Sequence, residues 1–333
     1  MPMFNCAPFV ADAVTSVLDQ SFADFRFLIV DDGSTDGSGD IVAKLVASDP
    51  RVTLFRQDNA GIVASLTFLL SHVETPYVAR MDGDDICLPG RFARQIAHMK
   101  AQPHLGALGT QFVEIDESGR QIPDDDPLPV GVGAVMAQLG FRQPICNPTT
   151  MFRRDALIAA GGYREAFRFC EDYDLFLRLS RIADIDNLPD RLLQYRRSPN
   201  QMSIRNNSRQ TRQAVKALFA HREVLAGRRD PFDAMDLLPA VADMDGVFGR
   251  PGMALAMRAE IVSRLRFSPF ALAGPEFDLI CTHAASGAAF PGGWRTVARC
   301  LRLGLPRQAL ALAFNMTKGR LSVSRLAKGR TAS

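Results

Sequence analysis

The chain has 333 residues, of which 47% are hydrophobic and 23% charged, and its formal net charge is +3. This composition is typical of a globular protein with enough apolar material for a large core, and the length allows about two domains. So small a net charge does not indicate a nucleic-acid-binding protein. The first ten residues do not have the pattern of a signal peptide, and no apolar run approaches the ~18 residues that a membrane-spanning helix needs.

Six cysteines are spread along the chain without a Cys-x-x-Cys pair: Cys6, Cys87, Cys146, Cys170, Cys281 and Cys300. Scattered single cysteines are typical of reduced thiols in a cytosolic protein, and not of a disulfide framework or a zinc site. We therefore expect a cytoplasmic protein.

Strand and helix patterns alternate over the first 200 residues. Apolar residues at helical spacing, beginning with Val10, Val14 and Val17, lie between short apolar runs. These runs predict six strands, at 26–32, 52–56, 77–85, 106–115, 149–153 and 192–197. The alternation predicts an α/β fold, with a mostly parallel sheet flanked by helices.

The pattern changes at about residue 205, where the strand runs end. Segments 212–227 and 252–267 have helical spacing, which predicts a helical region over 205–333 beside an α/β domain over 1–204. From Leu279 onward the chain has nine Arg or Lys residues and no Asp or Glu. Two interpretations stay open for this end: a solvated helical subdomain with a basic tail, or a surface that contacts anionic lipid head groups at a membrane.

Two acidic clusters follow predicted strands: Asp31 and Asp32 in one, and Asp82, Asp84 and Asp85 in the other. Crowded carboxylates raise each other's pKa, so a fold tolerates them mainly when a cation shares them. Ligands of an open parallel sheet bind beyond the carboxyl ends of its strands, so we expect both clusters at one edge of one sheet.

The acids at 82–85 have an Asp-x-Asp spacing. Residues two apart in an extended segment point the same way, so Asp82 and Asp84 are predicted to face one ligand while Asp85 makes a supporting hydrogen bond. Carboxylates suit Mg²⁺ or Mn²⁺, which take phosphate oxygens as further ligands. A solvated acidic turn is the alternative.

The segment 31–40, DDGSTDGSGD, lacks the glutamate of an EF-hand loop and the Gly-Lys-Ser/Thr of a Walker loop. It predicts a tight turn in which Ser34 or Thr35 caps a helix and Asp36 lies in the first helical turn.

The segment 167–182 has three acids at the start of a predicted helix: Glu171, Asp172 and Asp174. Leu175, Leu179 and Ile182 are predicted to form its buried face. Composition alone favours the interpretation that these acids are stabilising charges at a helix N-terminus. A general base is the other interpretation.

Seven segments together resemble the inverting family-2 glycosyltransferases with a GT-A fold. They are PMFN, SVLDQSFADFRFLIVDDGSTDGS, NAGIVASLTFLL, YVARMDGDDICLPGRFARQ, NPTTMFRRDAL with AGGYRE, CEDYDLFLRL and NLPDRLLQYR, and they keep the family's order from residue 2 to about residue 203. The resemblance implies a Rossmann-like GT-A domain. It also implies transfer of a sugar from a nucleotide-diphosphate sugar, expected to be a UDP-sugar, to a glycan or lipid-linked acceptor, with inversion and with Mn²⁺ or Mg²⁺.

The resemblance also implies roles for single residues. Phe4 and Asn5 match the residues that line the nucleotide pocket, and Asp32 matches the acid that contacts the nucleobase. Asp82 matches the acid near the ribose, and Asp84 matches the acid that holds the metal on the diphosphate.

Asp172 matches the catalytic base of the family, and Arg91 follows the acidic motif at the usual place without a defined role. The sequence departs from the family at two places. Relatives have a full apolar strand before the PMFN position, whereas this chain starts at Met1, and we expect a misplaced start rather than a compromised sheet. Relatives often have a histidine near the position of Ser198.

Two other functions are consistent with parts of this pattern. A nucleotidyltransferase also combines an α/β sheet with metal-binding acids, but it would need a glycine-rich basic phosphate loop near the N-terminus, and none is seen. A non-catalytic protein that keeps the GT-A fold is the alternative from outside the enzymes.

Overall fold

The computed structural model describes residues 1–123, 126–198, 201, 206–265, 277–285, 293–303 and 305–316. The chain divides into two compact units, Met1–Gln201 and Met202–Ser333. Functional domains at 1–204 and 205–333 stay a prediction. Within the described ranges, no helix has both the length and the apolar character that crossing a bilayer requires.

The first unit alternates strands and helices. Its helices are α1 (Val10–Leu18), α2 (Ser38–Val46), α3 (Ile62–Ser71), α4 (Arg91–Ala101), α5 (Val132–Leu139), α6 (Arg154–Ala159) and α7 (Glu171–Leu179). Its strands are β1 (Pro2–Met3), β2 (Phe27–Asp31), β3 (Val52–Arg56), β4 (Tyr77–Ala79), β5 (Ile86–Cys87), β6 (Leu105–Ile115), β7 (Met151–Arg153) and β8 (Asp184–Arg196). The α/β class predicted from the alternating pattern is confirmed.

The strands form two sheets, in the orders β1-β2-β3 and β4-β7-β6-β8-β5. The first sheet is parallel throughout, with Phe27 opposite Val52 in its longest ladder. In the second sheet β6 and β8 are parallel, and the other pairs are antiparallel. Helix α1 buries Val10, Val14 and Val17 in the core that both sheets share, as expected from their spacing of four and three residues.

The prediction of one sheet edge for both acidic clusters is wrong. Asp31 ends β2 in the first sheet, whereas the acids at 82–85 follow β4 in the second sheet. The predicted strand 77–85 is also too long, because β4 ends at Ala79 and the Gly83–Asp84 pair forms a turn. Asp and Gly favour turns, and three crowded carboxylates cannot share a sheet ladder without repulsion.

A cavity of about 340 Å³ lies between the edges of the two sheets. Met1 and Leu28 line it from the first sheet, and Tyr77 and Ala79 line it from β4. Strand β1 pairs only with the second half of β2, through bonds such as Val30 N–H to the Met1 carbonyl. Because ladder bonds alternate in direction, the N–H groups of Leu28, Tyr77 and Ala79 point toward this cavity. The cavity therefore has strand edges on both sides.

The second unit has helices and no strand in its described residues, as the sequence predicts. Its helices are α8 (Asn207–Leu225), α9 (Met244–Val247), α10 (Met253–Leu265), α11 (Phe277–Ala285), α12 (Gly293–Arg302) and α13 (306–316). One apolar cluster joins the last four of them and contains Val262, Ile280, Ala284, Cys300, Ala309, Leu312 and Met316. The last part of the predicted basic tail, residues 317–333, lies outside the described residues.

Candidate active site

The turn at 33–38 holds the segment that follows β1. Asn5 has a φ of 49°, in the left-handed region. Its N–H donates to the Ser34 hydroxyl at 3.0 Å, and its side-chain oxygen accepts the Thr35 N–H at 2.9 Å. Phe4 leaves 51% of its surface exposed. Of the two predicted pocket residues, Asn5 is thus fixed by the turn, while the Phe4 ring is accessible.

The predicted helix cap in this turn is wrong. Helix α2 begins at Ser38, and its N-cap is Gly37 with a φ of 91°. Ser34 and Thr35 lie too early to cap it, and they bond to Asn5. Asp36 accepts the Ser38 N–H at 3.0 Å and the Ala7 N–H at 2.9 Å, so it joins the helix start to the segment after β1. The turn is a scaffold for residues 4–7.

Asp32 is buried and anchors the loop after β3. Its carboxylate accepts the Gln57 side-chain N–H at 2.7 Å and the N–H groups of Ala60 and Gly61 at 2.9 and 2.8 Å. Each carboxylate oxygen has two lone pairs, so capacity for a nucleobase N–H remains. The hydrogen bonds that Asp32 makes in the structure hold the loop after β3 in place. Contact of Asp32 with a nucleobase stays a prediction.

The acids at 82–85 meet in a turn and not in an extended segment. Asp85 is buried and accepts the Arg196 N–H at 2.9 Å, which is the supporting bond predicted for it. Arg196 also donates to the Asp84 carbonyl at 2.8 Å. A side chain at Gly83 would lie 2.9 Å from the Cys6 sulfur, so this glycine permits close packing against the segment after β1. The turn therefore brings Asp84 next to the predicted nucleotide-binding segment.

The negative charges of the acids at 82–85 are only partly balanced by neighbouring arginines. Burial and the neighbouring Asp82 raise the pKa of Asp84 to about 6. Burial, Asp84 and Asp82 also raise the pKa of Asp85, and the second oxygen of Asp85 is buried without a hydrogen-bond partner. A divalent cation would relieve this cost.

The carboxylates fit a metal that also binds the ligand. In the described part of the chain, no group of three or more His, Cys, Asp or Glu side chains could enclose a metal ion. Mg²⁺ usually binds to one or two carboxylates together with phosphate oxygens and waters. Asp84 would provide such a carboxylate, because it has no ion pair with any described Lys or Arg, whereas Asp82 already pairs with Arg80 at 2.6 Å.

Arg80 is a functional candidate that the sequence interpretation missed. Its guanidinium is buried, pairs with Asp82, and lies near enough to lower the pKa of both Glu171 and Asp172. It thus connects the acids after β4 with those of α7. The signal was present, since an arginine inside the apolar run YVARM is unusual unless it has a buried partner.

The three acids of α7 have different surroundings. Asp174 accepts bonds from Arg164 at 2.9 Å and from Arg178 at 3.0 Å, which makes it a buried structural ion pair. Asp172 accepts the Gln143 side-chain N–H at 2.8 Å. Burial raises the pKa of Asp172, and the bond from Gln143 opposes that rise. Of these three acids, Asp172 is the one that accepts a bond from a neutral side chain while its pKa is raised.

Glu171 is the carboxylate next to Asp172, and each affects the charge state of the other. Burial and the adjacent Asp172 raise the pKa of Glu171 to about 8, and one of its oxygens is buried without a partner. At a pKa of about 8, Glu171 holds its proton at neutral pH. The predicted buried face of α7 is correct at Leu175 and Leu179 but wrong at Ile182, which is 56% exposed because the helix ends at Leu179.

Two further residues have structural environments. Arg91 is fully buried, donates to the Arg80 carbonyl at 2.8 Å and bonds to Gln95 at 3.1 Å. Arg91 therefore holds the backbone at Arg80, just before the acidic turn begins. The Ser198 hydroxyl, near the position of the family histidine, donates to the Glu117 carboxylate at 2.6 Å.

The raised pKa of Glu171 predicts a pH-dependent stability. Between its unfolded value of 4.5 and its folded value of about 8, the folded chain holds a proton that the unfolded chain has lost. The contribution of Glu171 to the free energy of unfolding is therefore fully present below pH 4.5. It decreases as pH rises, by up to about 4 kcal/mol between about pH 5 and pH 8. Glu171→Gln should remove most of this decline in urea unfolding. Glu165→Gln, at an exposed site, should keep it; a parallel decline in both variants would contradict the assignment.

The sequence profile described as Glycosyl transferase family 2 matches residues 1–161. Among curated relatives, the chain is 34% identical over 185 residues to the putative glycosyltransferase EpsE of Bacillus subtilis, covering 54% of this chain and 64% of EpsE. The chain thus spans less than two thirds of that relative. It is 31% identical over 196 residues to the O-antigen biosynthesis glycosyltransferase WbnJ of Escherichia coli, covering 56% of this chain and 74% of WbnJ.

Two solved structures share the fold. Staphylococcus aureus TarS with UDP-GlcNAc has a TM-score of 0.58 at 16% identity, covering 98% of this chain and 90% of that one. The mannosyltransferase PcManGT of Pyrobaculum calidifontis, with GDP-Man and Mn²⁺, has a TM-score of 0.51 at 15% identity, covering 95% and 85%. The fold and the sequence relatives agree, and the chain belongs to glycosyl transferase family 2.

Proposed function

We propose that this chain transfers a sugar from a nucleotide-diphosphate sugar to an acceptor hydroxyl, by one displacement that inverts the anomeric carbon. The proposal rests on one observation: two carboxylates near Arg80, Asp84 and Asp172, have different surroundings that suit different roles. Asp84 is half-buried and forms no ion pair with any described Lys or Arg, which suits a metal-bound diphosphate. Asp172 has a raised pKa and a neutral partner, which suits a base that accepts a proton.

The donor is proposed to be a UDP-sugar. Phe4 offers an exposed ring beside the turn of 33–38, and Asn5 and Asp32 would line the remaining pocket. Aromatic rings stack on bases without strong selectivity, so the ring alone does not choose the nucleoside. Support for uridine comes from the family and from TarS, whose structure contains UDP-GlcNAc. PcManGT contains GDP-Man, so a guanosine donor is the competing outcome.

Asp84 is proposed to hold Mn²⁺ or Mg²⁺, and Asp82 to lie near the ribose. When bound, such an ion stabilises negative charge on the leaving diphosphate. The chain's own residues do the remaining work. Arg196 fixes the acidic turn through the Asp84 carbonyl and Asp85, and Arg80 holds Asp82 in place.

Asp172 is proposed to remove the proton from the acceptor hydroxyl as that oxygen attacks the anomeric carbon. The bond from Gln143 orients one carboxylate oxygen, and the raised pKa makes the carboxylate a stronger base. No covalent sugar–enzyme intermediate is needed, so a nucleophilic Ser or Cys is not required. The thiols of Cys6 and Cys146 have pKa values raised by burial, which makes them poor nucleophiles.

The acceptor is proposed to be a glycan or a lipid-linked glycan of the bacterial cell envelope. The support is the naming of the relatives, since WbnJ is named for O-antigen biosynthesis. No disulfide joins the described cysteines, which supports a reducing compartment such as the cytoplasm.

The proposed donor class is tested with UDP-, GDP- and dTDP-sugars, each with Mn²⁺, in thermal unfolding of the full chain. A ligand that binds only the folded chain stabilises it by about 2.7 kcal/mol at a hundredfold excess over Kd. We expect a UDP-sugar to raise the melting temperature most. Turnover of the bound donor would then exclude a non-catalytic protein. No shift with any nucleotide sugar would contradict the proposed function.

Asp84→Asn is expected to weaken Mn²⁺-dependent UDP-sugar binding by at least about tenfold, because the neutral amide is a poor ligand for a hard cation. The same change removes a half-buried charge that lies beside Asp82, so the free energy of unfolding without metal should rise. Calorimetry measures the first effect and urea unfolding the second. Asp155→Asn, at an exposed site, should alter neither. Unchanged donor affinity in Asp84→Asn would contradict the metal assignment.

A further inference from the structure

Helices α12 and α13 present apolar side chains to solvent after their core has been filled. Helix α12 buries Gly293, Thr296 and Cys300, with helical spacing of three and four residues. Its remaining surface includes Trp294, which is 53% exposed, and Leu301, which is 58% exposed. Trp294 and Leu301 are seven residues apart and therefore share one side of the helix. The packing of α12 against its own unit thus leaves these two large apolar side chains uncovered.

Helix α13 repeats this arrangement. It buries Ala309, Leu312 and Met316 in the apolar cluster of the second unit. Leu310 is 75% exposed and Phe314 is 67% exposed, and they lie four residues apart on another side of the helix. Single exposed apolar residues are ordinary, but four large ones on two consecutive helices are unusual and indicate a binding surface. We call these two helices the α12–α13 patch.

The charges of the patch are all of one sign. Arg295, Arg302 and Arg307 are exposed, and Arg299 is partly buried. The residues 293–316 contain no Asp or Glu. On both helices the arginines adjoin the exposed apolar residues, since Leu301 precedes Arg302 and Arg307 is three residues before Leu310. Amphipathic helices with arginine and tryptophan or leucine in these positions are typical of helices that lie in an anionic lipid interface.

We propose that the α12–α13 patch docks the second unit onto an anionic lipid surface. Charge complementarity selects this occupant over a second copy of the chain. Two facing copies would bring at least six exposed guanidinium groups together with no carboxylate from the patch to pair with them, counting three per copy. Anionic head groups would pair with the arginines while the apolar side chains enter the acyl boundary. The docking does not depend on the proposed sugar transfer.

The test is flotation of the full chain with vesicles of phosphatidylglycerol and phosphatidylcholine, compared with phosphatidylcholine alone, without donor. We expect binding to the anionic vesicles only, and a marked loss at about 0.5 M salt, because salt screens exposed charges. Arg302→Gln with Arg307→Gln should weaken the partition coefficient about 25-fold, since each arginine near such a surface contributes about fivefold. Arg26→Gln with Arg229→Gln is the control that removes the same charge elsewhere.

A second pair of variants tests the apolar side chains. Replacement of Trp294, Leu301 and Leu310 by serine should weaken binding at least about tenfold. The matched control replaces three exposed leucines elsewhere in the same unit, Leu225, Leu237 and Leu255, and should bind as the parent does. All variants change exposed side chains, and equal thermal unfolding would show that each keeps its fold.

Three results would overturn the proposal. The first is equal binding to neutral and anionic vesicles. The second is undiminished binding by both patch variants, which would assign the contact to the basic residues after 316. The third is a dimer of the parent chain in sedimentation velocity that persists in the leucine control and is lost in the serine variant. That result would show that the patch pairs two copies of the chain.

Discussion

Asp172→Asn is expected to lower the rate of sugar transfer by about 10²–10⁴-fold, the range usual for loss of a general base. Asparagine has nearly the same shape and can still accept the bond from Gln143, but it cannot take the acceptor's proton. Donor and Mn²⁺ affinity should stay nearly unchanged, because Asp172 acts only when the acceptor loses its proton. In free-energy terms, the variant loses transition-state stabilisation alone. Calorimetry with donor and Mn²⁺, beside transfer to any working acceptor, measures both quantities.

Two control variants separate a base from a stabilising helix charge. Asp155 lies in the first turn of α6 and is exposed, so Asp155→Asn removes a helix-terminus charge without touching the site. Burial keeps the Glu171 side chain uncharged at neutral pH, and glutamine is uncharged as well. Glu171→Gln should therefore preserve most of the transfer rate. Transfer by Asp172→Asn at near the parent rate would show that Asp172 is only a favourable charge at the start of α7.

The pH profile of transfer provides an independent check on the same residue. Burial raises the pKa of Asp172, and the transfer rate should therefore fall on the acid side as this carboxylate becomes protonated. In Asp172→Asn the residual rate should lack this acid limb. The comparison distinguishes a residue that takes a proton from one that only positions a neighbour.

Periodicity predicted the elements well and their ends less well. Helix α1 and strands β2 and β3 are found where the apolar spacing predicts them, because their side chains face one core. Strand β8 begins at Asp184, eight residues before the predicted strand at 192–197, since pairing with β6 extends it through polar positions. Such tertiary pairing overrides local pattern and cannot be read from one segment.

The acidic candidates could be found from the sequence, but their partners could not. Asp84 and Asp172 are conspicuous because each belongs to a short acidic run. Gln143 comes from a loop 29 residues before Asp172, and Arg196 lies 111 residues after Asp85. Nothing local marks either residue, because each becomes significant only when folding brings it to a carboxylate. Contacts of this kind lower the pKa of each carboxylate and oppose the rise that burial causes.

An engineered strand added before Met1 is expected to raise the free energy of unfolding by about 3–5 kcal/mol. The added residues, Val-Ser-Val-Ile-Ile, would enter the 340 Å³ cavity between β2 and β4. Each apolar side chain contributes about 1.5–3 kcal/mol when fully buried, and ordering costs about 1–2 kcal/mol for each residue's backbone. The N–H groups of Leu28 and Ala79 would gain strand partners, at about 1 kcal/mol for each bond.

The Met1 amine gives this prediction a second, separable part. The amine donates to the Leu28 carbonyl at 2.8 Å, and burial lowers its pKa from 8.0 to about 4. At pH 7 the folded chain has released a proton that the unfolded chain holds, which costs about 1 kcal/mol, and stability rises with pH between the two pKa values. A Gly-Ser-Gly-Ser-Gly extension removes the buried amine but brings no apolar side chains. If both extensions change urea unfolding equally, filling the cavity contributes nothing; if the apolar one alone gives the larger gain, the cavity is a site for a strand that joins the two sheets.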